Sequence, residues 1–189
     1  LHEWREMLQR HFADVRHVVV EPGVRTGVPV LMDNPREVGA DRIINAVAVA
    51  ALYGGPAIVV DFGTATTFDV VNAEGQYVGG AISPGLEISL EALGRRGAQL
   101  RTVELRRPRS VIARNTVEAL QSGMVFGGAA QVEGLVARML TELGPSDVPV
   151  RVIATGHLAS LVLADCDCFT DHVPWLTLRG LALVFARNS

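Results

Sequence analysis

The sequence contains no lysine, because all 17 of its basic residues are arginine. Lysine contacts the phosphates in P-loop proteins and forms Schiff bases with carbonyl substrates. The composition therefore excludes a P-loop lysine, a Schiff-base lysine and a lysine general base within these 189 residues.

Cysteine and long apolar runs are also scarce. The two cysteines, Cys166 and Cys168, are separated by one residue, which is poor spacing for a structural disulfide, and two thiols are too few for a zinc site. No apolar run approaches the roughly 20 residues of a membrane helix, and the first residues do not resemble a secretory signal. These absences predict a reduced, cytoplasmic setting and no membrane partner.

The remaining composition is that of an ordinary globular protein, with 49% hydrophobic and 20% charged residues and a formal net charge of −3. A chain of this length forms one or two domains. Arginines cluster at Arg95-Arg96 and between Arg106 and Arg109. Because the chain as a whole is acidic, we interpret this cluster as a solvated surface and expect no nucleic-acid binding.

The first part of the chain contains helical patterns and one strand-like run. Apolar residues recur at helical spacing through residues 1–12 and predict an amphipathic helix. The apolar run at 17–21 predicts a short buried strand. Asn34-Pro35 is typical of a helix start, and a helical apolar pattern covers residues 42–53.

The part of the chain that follows Pro56 begins with strand-like runs. Three consecutive strand-like runs joined by short turns predict an antiparallel meander, followed by a helix after Pro84. Residues 110–143 predict two helices, or one interrupted at Gly127-Gly128. A buried strand at 150–156 then precedes a closing helix at 176–188. This order predicts an α+β or mixed-sheet architecture rather than strict alternation of strands and helices.

The segment VVDFGTATTFDVV (59–71) joins two strands through Gly-Thr-Ala-Thr-Thr, where a plain hairpin would have Asn-Gly or Asp-Gly. Alternation places Val59 and Asp61 on one face, so Asp61 ends a buried strand. A buried carboxylate requires a partner, which a cation or backbone amides would supply. Gly63 permits close approach of a ligand, and the threonine hydroxyls are suited to phosphate. An ordinary hairpin whose threonines bond the turn amides remains open.

Six segments together resemble one protein family, in the expected order. They are DNPREVGADRIINAVAVA (33–50), VDFGTATTFDVV (60–71), GGAISPGL (79–86), RPRSVIARNTVEALQSG (107–123), IATGHLA (153–159) and LTLRGLALVFARN (176–188). The hairpin segment is similar to the second phosphate motif of the acetate kinase, sugar kinase, Hsp70 and actin superfamily. Within that superfamily the set resembles type III pantothenate kinase, also known as the Bvg accessory factor family, over nearly the whole chain.

The resemblance implies an α/β fold with a mixed sheet, namely the ribonuclease-H-like fold of actin- and Hsp70-type ATPases. Residues 57–189 would form a largely complete second domain with the phosphate hairpin and the closing helix. Residues 1–56 would be the remnant of a truncated first domain, carrying the pantothenate-binding segment.

The resemblance also implies an activity, the ATP-dependent phosphorylation of pantothenate to 4′-phosphopantothenate in coenzyme A biosynthesis. Gly39, Ala40, Asp41 and Arg42 match the pantothenate-binding segment, and Thr116 matches a further pantothenate contact. Asp41 matches the general base, and a carboxylate at a helix N-terminus stays ionised as that role requires. Arg42 is suited to binding the substrate's carboxylate. Considered alone, Asp41 and Arg42 could instead be a helix cap and a surface ion pair.

Around the hairpin the resemblance implies nucleotide and cation sites. Gly63 and Thr64 match ATP-binding positions, and Mg²⁺ accompanies the nucleotide. Asp61 matches the ligand of a monovalent cation, K⁺ or NH₄⁺, which would also explain a buried carboxylate. The family forms homodimers with the active sites near the subunit interface, so the same assembly is expected here.

Three departures from the family pattern qualify these expectations. Met32 stands where many members have a tyrosine that contacts pantothenate, and His157 replaces the second glycine of Ala-Thr-Gly-Gly. The first phosphate motif, Asp-x-Gly-Asn-Thr, does not occur in these residues. Because phosphoryl transfer relies on positioning and charge neutralisation, we expect this chain alone to be inactive, although the intact protein is a kinase.

Two other functions stay open. The first is another small-molecule kinase of the superfamily, such as a sugar kinase, although the segments GADR and RNT argue against it. The second is a non-catalytic paralogue that serves as a regulatory or dimerisation module, which Met32, His157 and the missing motif favour. An intact Asp-x-Gly-Asn-Thr motif upstream would support the enzyme, and a degraded one would support the module.

Overall fold

The computed structural model describes residues 2–96 and 103–189 of the chain. The last part of the helix predicted after Pro84 lies outside the described residues. The helices are α1 (His2–His11), α2 (Ala40–Tyr53), α3 (Leu86–Arg96), α4 (Thr116–Leu143), α5 (Ala159–Val162) and α6 (Leu176–Arg187). The strands are β1 (Ala57–Phe62), β2 (Ala65–Val71), β3 (Tyr77–Pro84), β4 (Arg151–Thr155) and β5 (Asp171–His172), with short 3-10 helices at Pro35–Glu37 and Leu163–Asp165.

Within the described residues the strands form one sheet in the order β3-β2-β1-β4-β5. The pairs β1–β2 and β2–β3 are antiparallel, whereas β1–β4 and β4–β5 are parallel. The first three strands are therefore the predicted meander, and β4 adds to the free side of β1. The mixed sheet expected from the sequence is confirmed.

Helices cover both faces of this sheet. On one face Val60 and Phe68 belong to the apolar cluster that contains α4. On the other face Val59 packs with α2 and with Leu176 at the start of α6. Neighbouring side chains of a strand point to opposite faces, which explains the division. Asp61 follows Val59 by two residues and so shares its face, as alternation predicts, and this is the face that α2 covers.

The helix α2 lies between the sheet and α6. Its middle residues, Ile44–Val49, are buried, and the helix contacts both β1 and β2. Gly180 of α6 packs so closely that a Cβ there would lie 2.7 Å from Ile44 Cγ2. This packing fixes α2 between α6 and the sheet.

The strand predicted at residues 17–21 is wrong, since none of these residues belongs to a strand of the described structure. Val20 packs its side chain beside the apolar residues of α2. It is Val30 that reaches the sheet edge, through a single bridge to Tyr77. A strand requires a free edge to pair with, and an apolar run by itself does not reveal whether one is available.

Residues 110–143 form one helix rather than two, and it begins at Thr116 rather than at residue 110. Gly127 and Gly128 stay helical. A Cβ at Gly128 would lie 2.8 Å from Leu86 Cδ2, so the glycine allows α3 to approach α4 rather than interrupting it. The elements α5 and β5 were not predicted, because four and two residues are too short to show a period.

Candidate active site

Several glycine-containing turns meet at one end of the sheet. The turn at Gly63 and Thr64 follows β1, Gly156 follows β4, and Gly85 follows β3, which runs in the same direction as β1. In open α/β sheets, ligands bind beyond the carboxyl ends of the parallel strands. We therefore take this end of the sheet as the candidate active site.

The turn after β1 is held by backbone contacts. The Gly63 N–H donates to Ala65 O at 3.0 Å, and the Gly85 N–H donates to Thr64 O at 3.1 Å. A Cβ at Gly85 would overlap Thr64 O and lie 2.5 Å from Gly63 O. The residue before α3 thus holds the backbone of the turn, while the Thr64 side chain is exposed to solvent.

Asp61 lies half-buried beside this turn. Its Oδ2 accepts a hydrogen bond from Asn45 Nδ2 at 2.8 Å. Its Oδ1 faces Gly156, where an added Cβ would lie 2.6 Å away. Burial raises the pKa of Asp61, the Asn45 hydrogen bond lowers it, and the negative charge of Asp41 raises it further. One carboxylate oxygen is therefore paired, and the backbone of Gly156 approaches the other too closely for a residue with a side chain.

Asp41 lies in the first turn of α2 and is exposed. The helix begins after Gly39, which has no side chain to cap it, and a Cβ at Gly39 would lie 2.5 Å from Asp41 Oδ1. The helix N-terminus favours a negative charge at this position. Asn45, one helical turn further along α2, donates to Asp61, so the start of α2 lies beside the end of β1. Gly39 and Ala40 are exposed beside Asp41.

Arg42 points into the protein rather than toward solvent. Its Nε donates to Asp69 Oδ1 at 2.6 Å, and its Nη2 donates to Phe68 O at 3.3 Å. Its guanidinium carbon lies 5.7 Å from the centre of the Tyr77 ring. Tyr77 Oη and Thr67 Oγ1 donate to the same carboxylate at 3.0 and 3.2 Å. Burial raises the pKa of Asp69, while Arg42, Tyr77 and Thr67 lower it.

Three residues of this site were missed by the sequence analysis. Asp69 interrupts the apolar run of β2, and Tyr77 is the first residue of β3. The signal that could have identified Asp69 was a charged residue inside TTFDVV. Asn45 lies within an apolar helix and contacts Asp61, and its own Oδ1 accepts from Thr177 Oγ1 at 2.7 Å. A polar residue in a buried helical face was the corresponding signal.

Thr116 is the predicted site residue that this single chain does not bring to the end of the sheet with Asp41 and Asp61. It is the first residue of α4, after Asn115, whose side chain accepts from the Glu118 N–H at 2.9 Å. Further along α4, Gln131 is 3.5 Å from Ser83 at the end of β3. Fifteen residues of helix separate Thr116 from Gln131, which is about 22 Å at 1.5 Å per residue. The N-terminal half of α4 therefore extends well past this contact with the sheet.

The two substituted positions of the family pattern border the site. His157 is exposed at the end of β4, with Nε2 3.7 Å from Glu87 Oε2, and its charge lowers the pKa of Asp61. Met32 is half-buried, and a Cβ added at Gly79 would lie 3.4 Å from its sulfur. Met32 therefore lies against β3, and His157 lies at the rim near Asp61.

Two structural features are absent from the described ranges 2–96 and 103–189. They contain no group of three or more His, Cys, Asp or Glu side chains arranged to hold a metal ion. They also contain no helix long and apolar enough to cross a membrane. The site is accordingly built from separate carboxylates, Asp41 and Asp61, and from glycine-containing turns.

The sheet order, the strand directions and the helices on both faces are those of the ribonuclease-H-like fold, which is also the fold of actin- and Hsp70-type ATPases. The fold is shared with the crystal structure of a Baf family protein from Campylobacter jejuni. The TM-score is 0.54 over 97% of this chain and 79% of that chain, at 22% sequence identity.

Comparison with protein families then identifies the particular family. The family model described as type III pantothenate kinase matches residues 1–138. Proteins named type III pantothenate kinase are 78% identical in Nocardioides sp. and 65% identical in Streptomyces griseus, in both cases over 100% of this chain. The chain spans 74% and 71% of these two relatives. The chain belongs to the type III pantothenate kinase family.

Proposed function

We propose that the protein transfers the γ-phosphoryl group of ATP to the primary hydroxyl of pantothenate, giving 4′-phosphopantothenate for coenzyme A biosynthesis. One observation carries this proposal beyond family membership. Asn45, one helical turn after Asp41 in α2, donates a hydrogen bond to Asp61 at 2.8 Å, and Asp61 adjoins the Gly63–Thr64 turn. A proton acceptor and a candidate phosphate-binding turn thus occupy the same end of the sheet.

In the proposed reaction Asp41 is the general base. It is exposed at the first turn of α2, so an acceptor hydroxyl can reach it. Phosphoryl transfer requires the acceptor oxygen to be in line with the leaving group, and its proton leaves late. Asp41 would take that proton as the bond to phosphorus forms. Gly39 and Ala40, which lack bulky side chains, would allow the substrate to lie against the helix start.

The hairpin β1–β2 would bind the nucleotide. Gly63 has no side chain to block the phosphates, and the exposed Thr64 offers a hydroxyl next to the turn amides. The contact with Gly85 makes this turn rigid, which favours a fixed position for the terminal phosphate. Mg²⁺ would enter with ATP and neutralise phosphate charge.

Asp61 fits a monovalent cation, K⁺ or NH₄⁺. Burial raises its pKa, so a nearby positive charge would favour the ionised form. One carboxylate oxygen is held by Asn45, and the other accepts no hydrogen bond from a side chain in the described residues. A cation held there would offset phosphate charge near the turn.

We also propose that the protein acts as a homodimer with Thr116 near the interface and within reach of the partner's substrate. The segment around Thr116 supports this, because Val111, Ile112 and Val117 are exposed apolar residues next to it. A group of exposed apolar side chains is typical of an interaction surface. The cytoplasmic location expected from the sequence stays a prediction.

The proposed function is tested with the protein extended to the length of its relatives and carrying the first phosphate motif. It is incubated with Mg-ATP and pantothenate, and the products are identified by mass spectrometry. We expect one phosphoryl group on pantothenate, faster formation in potassium than in sodium, and no such difference in Asp61→Ala. A sugar added as competitor should leave the rate unchanged. Phosphorylation of the sugar in preference to pantothenate would contradict the substrate assignment, and indifference of the parent protein to the salt would remove Asp61 from the cation site.

A further inference from the structure

Arg42 is constrained on several sides by residues of the sheet. Asp69 accepts from Nε at 2.6 Å, the Phe68 carbonyl accepts from Nη2, and the Tyr77 ring packs against the guanidinium. The side chain of Arg42 is 11% exposed and that of Asp69 is fully buried. A buried ion pair is costly unless further hydrogen bonds complete it, and Tyr77 and Thr67 supply those bonds to Asp69.

The arrangement leaves one edge of the guanidinium without a protein partner. Arginine has five N–H donors in a planar fork. Within the described residues, no hydrogen bond involves Arg42 Nη1. Arg42 immediately follows Asp41 in the first turn of α2. A planar edge of donors beside the proposed base is suited to a substrate carboxylate.

We infer that Asp69, together with Tyr77, is a positioning residue that fixes the Arg42 guanidinium so that its free edge binds the carboxylate of pantothenate. This inference rests on the proposed function. Asp69 is fully buried and acts through Arg42 rather than through contact with the substrate. Arg42 lies on α2, Asp69 on β2 and Tyr77 on β3. The three residues are distant in sequence and come into contact only when the chain folds.

Gly80 gives this interpretation independent support. It pairs with Asp69 across β2 and β3. A Cβ at Gly80 would overlap Phe68 O and lie 3.1 Å from Arg42 Nη2. A side chain at this position would therefore overlap the same Phe68 carbonyl that accepts from Arg42 Nη2.

Two effects of removing the Asp69 charge oppose each other. Freeing Arg42 costs affinity, because a flexible guanidinium must be ordered again on binding. Removing a negative charge also lessens repulsion of an anionic substrate. Tyr77→Phe separates the two effects, since it loses only the hydrogen bond to Asp69 and keeps every charge and the ring beneath Arg42.

The test compares the steady-state kinetics of the parent protein, Asp69→Asn, Tyr77→Phe and Val70→Ala. Each is assayed with pantothenate and with an analogue whose carboxylate is replaced by a hydroxymethyl group. Val70 is the matched control, because it is the next residue of β2, is buried and packs in the cluster on the opposite face. Thermal unfolding of each variant measures the structural cost separately.

We expect the KM for pantothenate to rise about 10- to 100-fold in Asp69→Asn, because the charge-assisted hydrogen bond to Arg42 is weakened. In Tyr77→Phe we expect a rise of about 2- to 10-fold, because only the weaker hydrogen bond to Asp69 is lost. The KM for ATP and all constants for the carboxylate-free analogue should stay within about twofold of the parent. Val70→Ala should lower the unfolding temperature and leave both KM values unchanged.

An unchanged or lowered KM for pantothenate in a folded Asp69→Asn would overturn the inference, as would equal losses with the carboxylate-free analogue. If Asp69→Asn does not fold, an unchanged KM in Tyr77→Phe overturns it. A parent protein that carries the first phosphate motif and still does not phosphorylate pantothenate would overturn the proposed function, and this inference with it.

Discussion

Two aspartates of this site have different environments, and those environments suit them to different tasks. Asp41 is exposed at the start of α2, where the helix favours its negative charge. Asp61 is half-buried, and burial raises its pKa. Carboxylates in one site are commonly assigned to separate roles by such differences. Asp41 is therefore accessible to a substrate hydroxyl in the proposed reaction, and Asp61 is the proposed partner for a cation.

The role of Asp41 leads to a prediction for Asp41→Asn. The amide cannot accept the proton of the substrate hydroxyl, so kcat should fall by about 10²- to 10⁴-fold, the usual contribution of a positioned general base. Calorimetric affinities for ATP and pantothenate should change little, because the side chain keeps its size. The control is Asp147→Asn. Asp147 is exposed in the loop before β4, so it precedes the strand whose other end borders the candidate active site. A variant with unaltered kcat would exclude Asp41 as the base.

The second residue prediction is that Asp61→Asn stabilises the protein near neutral pH. The pKa of Asp61 is raised in the folded protein, so the folded state binds this proton more tightly than the unfolded chain does. The favourable contribution is therefore present at low pH and is lost as pH rises from about 3.9, the unfolded value, toward the folded pKa. The amide removes that loss, and Asn45 can still donate to it.

Chemical unfolding at pH 7 and at pH 3 measures this effect. We expect Asp61→Asn to gain about 0.5–2 kcal/mol at pH 7, the range of single stabilising substitutions, and less at pH 3. Both experiments should be done without potassium, because a bound cation would stabilise the parent. A loss of stability at pH 7 in the variant would show that the ionised carboxylate is well satisfied by the protein itself.

At the scale of elements, the site depends on glycines where strand ends meet loops. Gly85 is the clearest case, because a Cβ there would overlap the Thr64 carbonyl. The start of α3 and the turn after β1 can approach each other only if this position lacks a side chain. The positions of these turns, more than any single side chain, define the proposed nucleotide site.

We predict that Gly85→Ala displaces the Gly63–Thr64 turn and raises the KM for ATP by at least about tenfold, as expected when a positioning contact shifts by a fraction of an ångström or more. The KM for pantothenate should change less. The matched control is Gly127→Ala in α4, where a Cβ would meet nothing within 4 Å, and which should stabilise the helix by about 0.5–1 kcal/mol. Equal effects on both substrates would contradict a specific role for this turn.

The elements that the sequence predicted correctly are those with a long or regular pattern. The meander β1–β3, the helix α2 and the closing helix α6 all follow their apolar periodicity. Residues 17–21 have the apolar pattern of a strand, but none of them is in a strand of the described structure, and Val20 packs in the apolar cluster that includes α2. Such errors arise because pairing depends on the rest of the fold, which a local pattern does not contain.

The site was predictable to the extent that its residues are adjacent in sequence. Asp41 and Arg42 lie in one segment and Asp61, Gly63 and Thr64 in another, and the fold brings these segments to one end of the sheet. The partner of Arg42 was not predictable, because Asp69 joins it only through the packing of α2 on β2. The division into domains at residues 56 and 57 and the substrate contact of Thr116 remain predictions.

At the scale of the whole molecule, the proposed dimer gives a further prediction. Ile112 is 85% exposed close to the start of α4, where the interface is proposed. Ile112→Glu should convert a dimer to a monomer in analytical ultracentrifugation, because a charge cannot be buried there without a partner. Activity should fall with the loss of the dimer. Val148→Glu is the control, since Val148 is an exposed apolar residue in the loop before β4.

The central claim is that Asp41 and the turn after β1 face the two reactants of one phosphoryl transfer. A crystal structure with pantothenate and a non-hydrolysable ATP analogue measures this directly. We predict that the primary hydroxyl of pantothenate lies about 2.6–3.2 Å from an Asp41 carboxylate oxygen, with the terminal phosphate against Gly63 and Thr64. A hydroxyl bound away from Asp41, or a triphosphate bound away from this turn, would contradict the account.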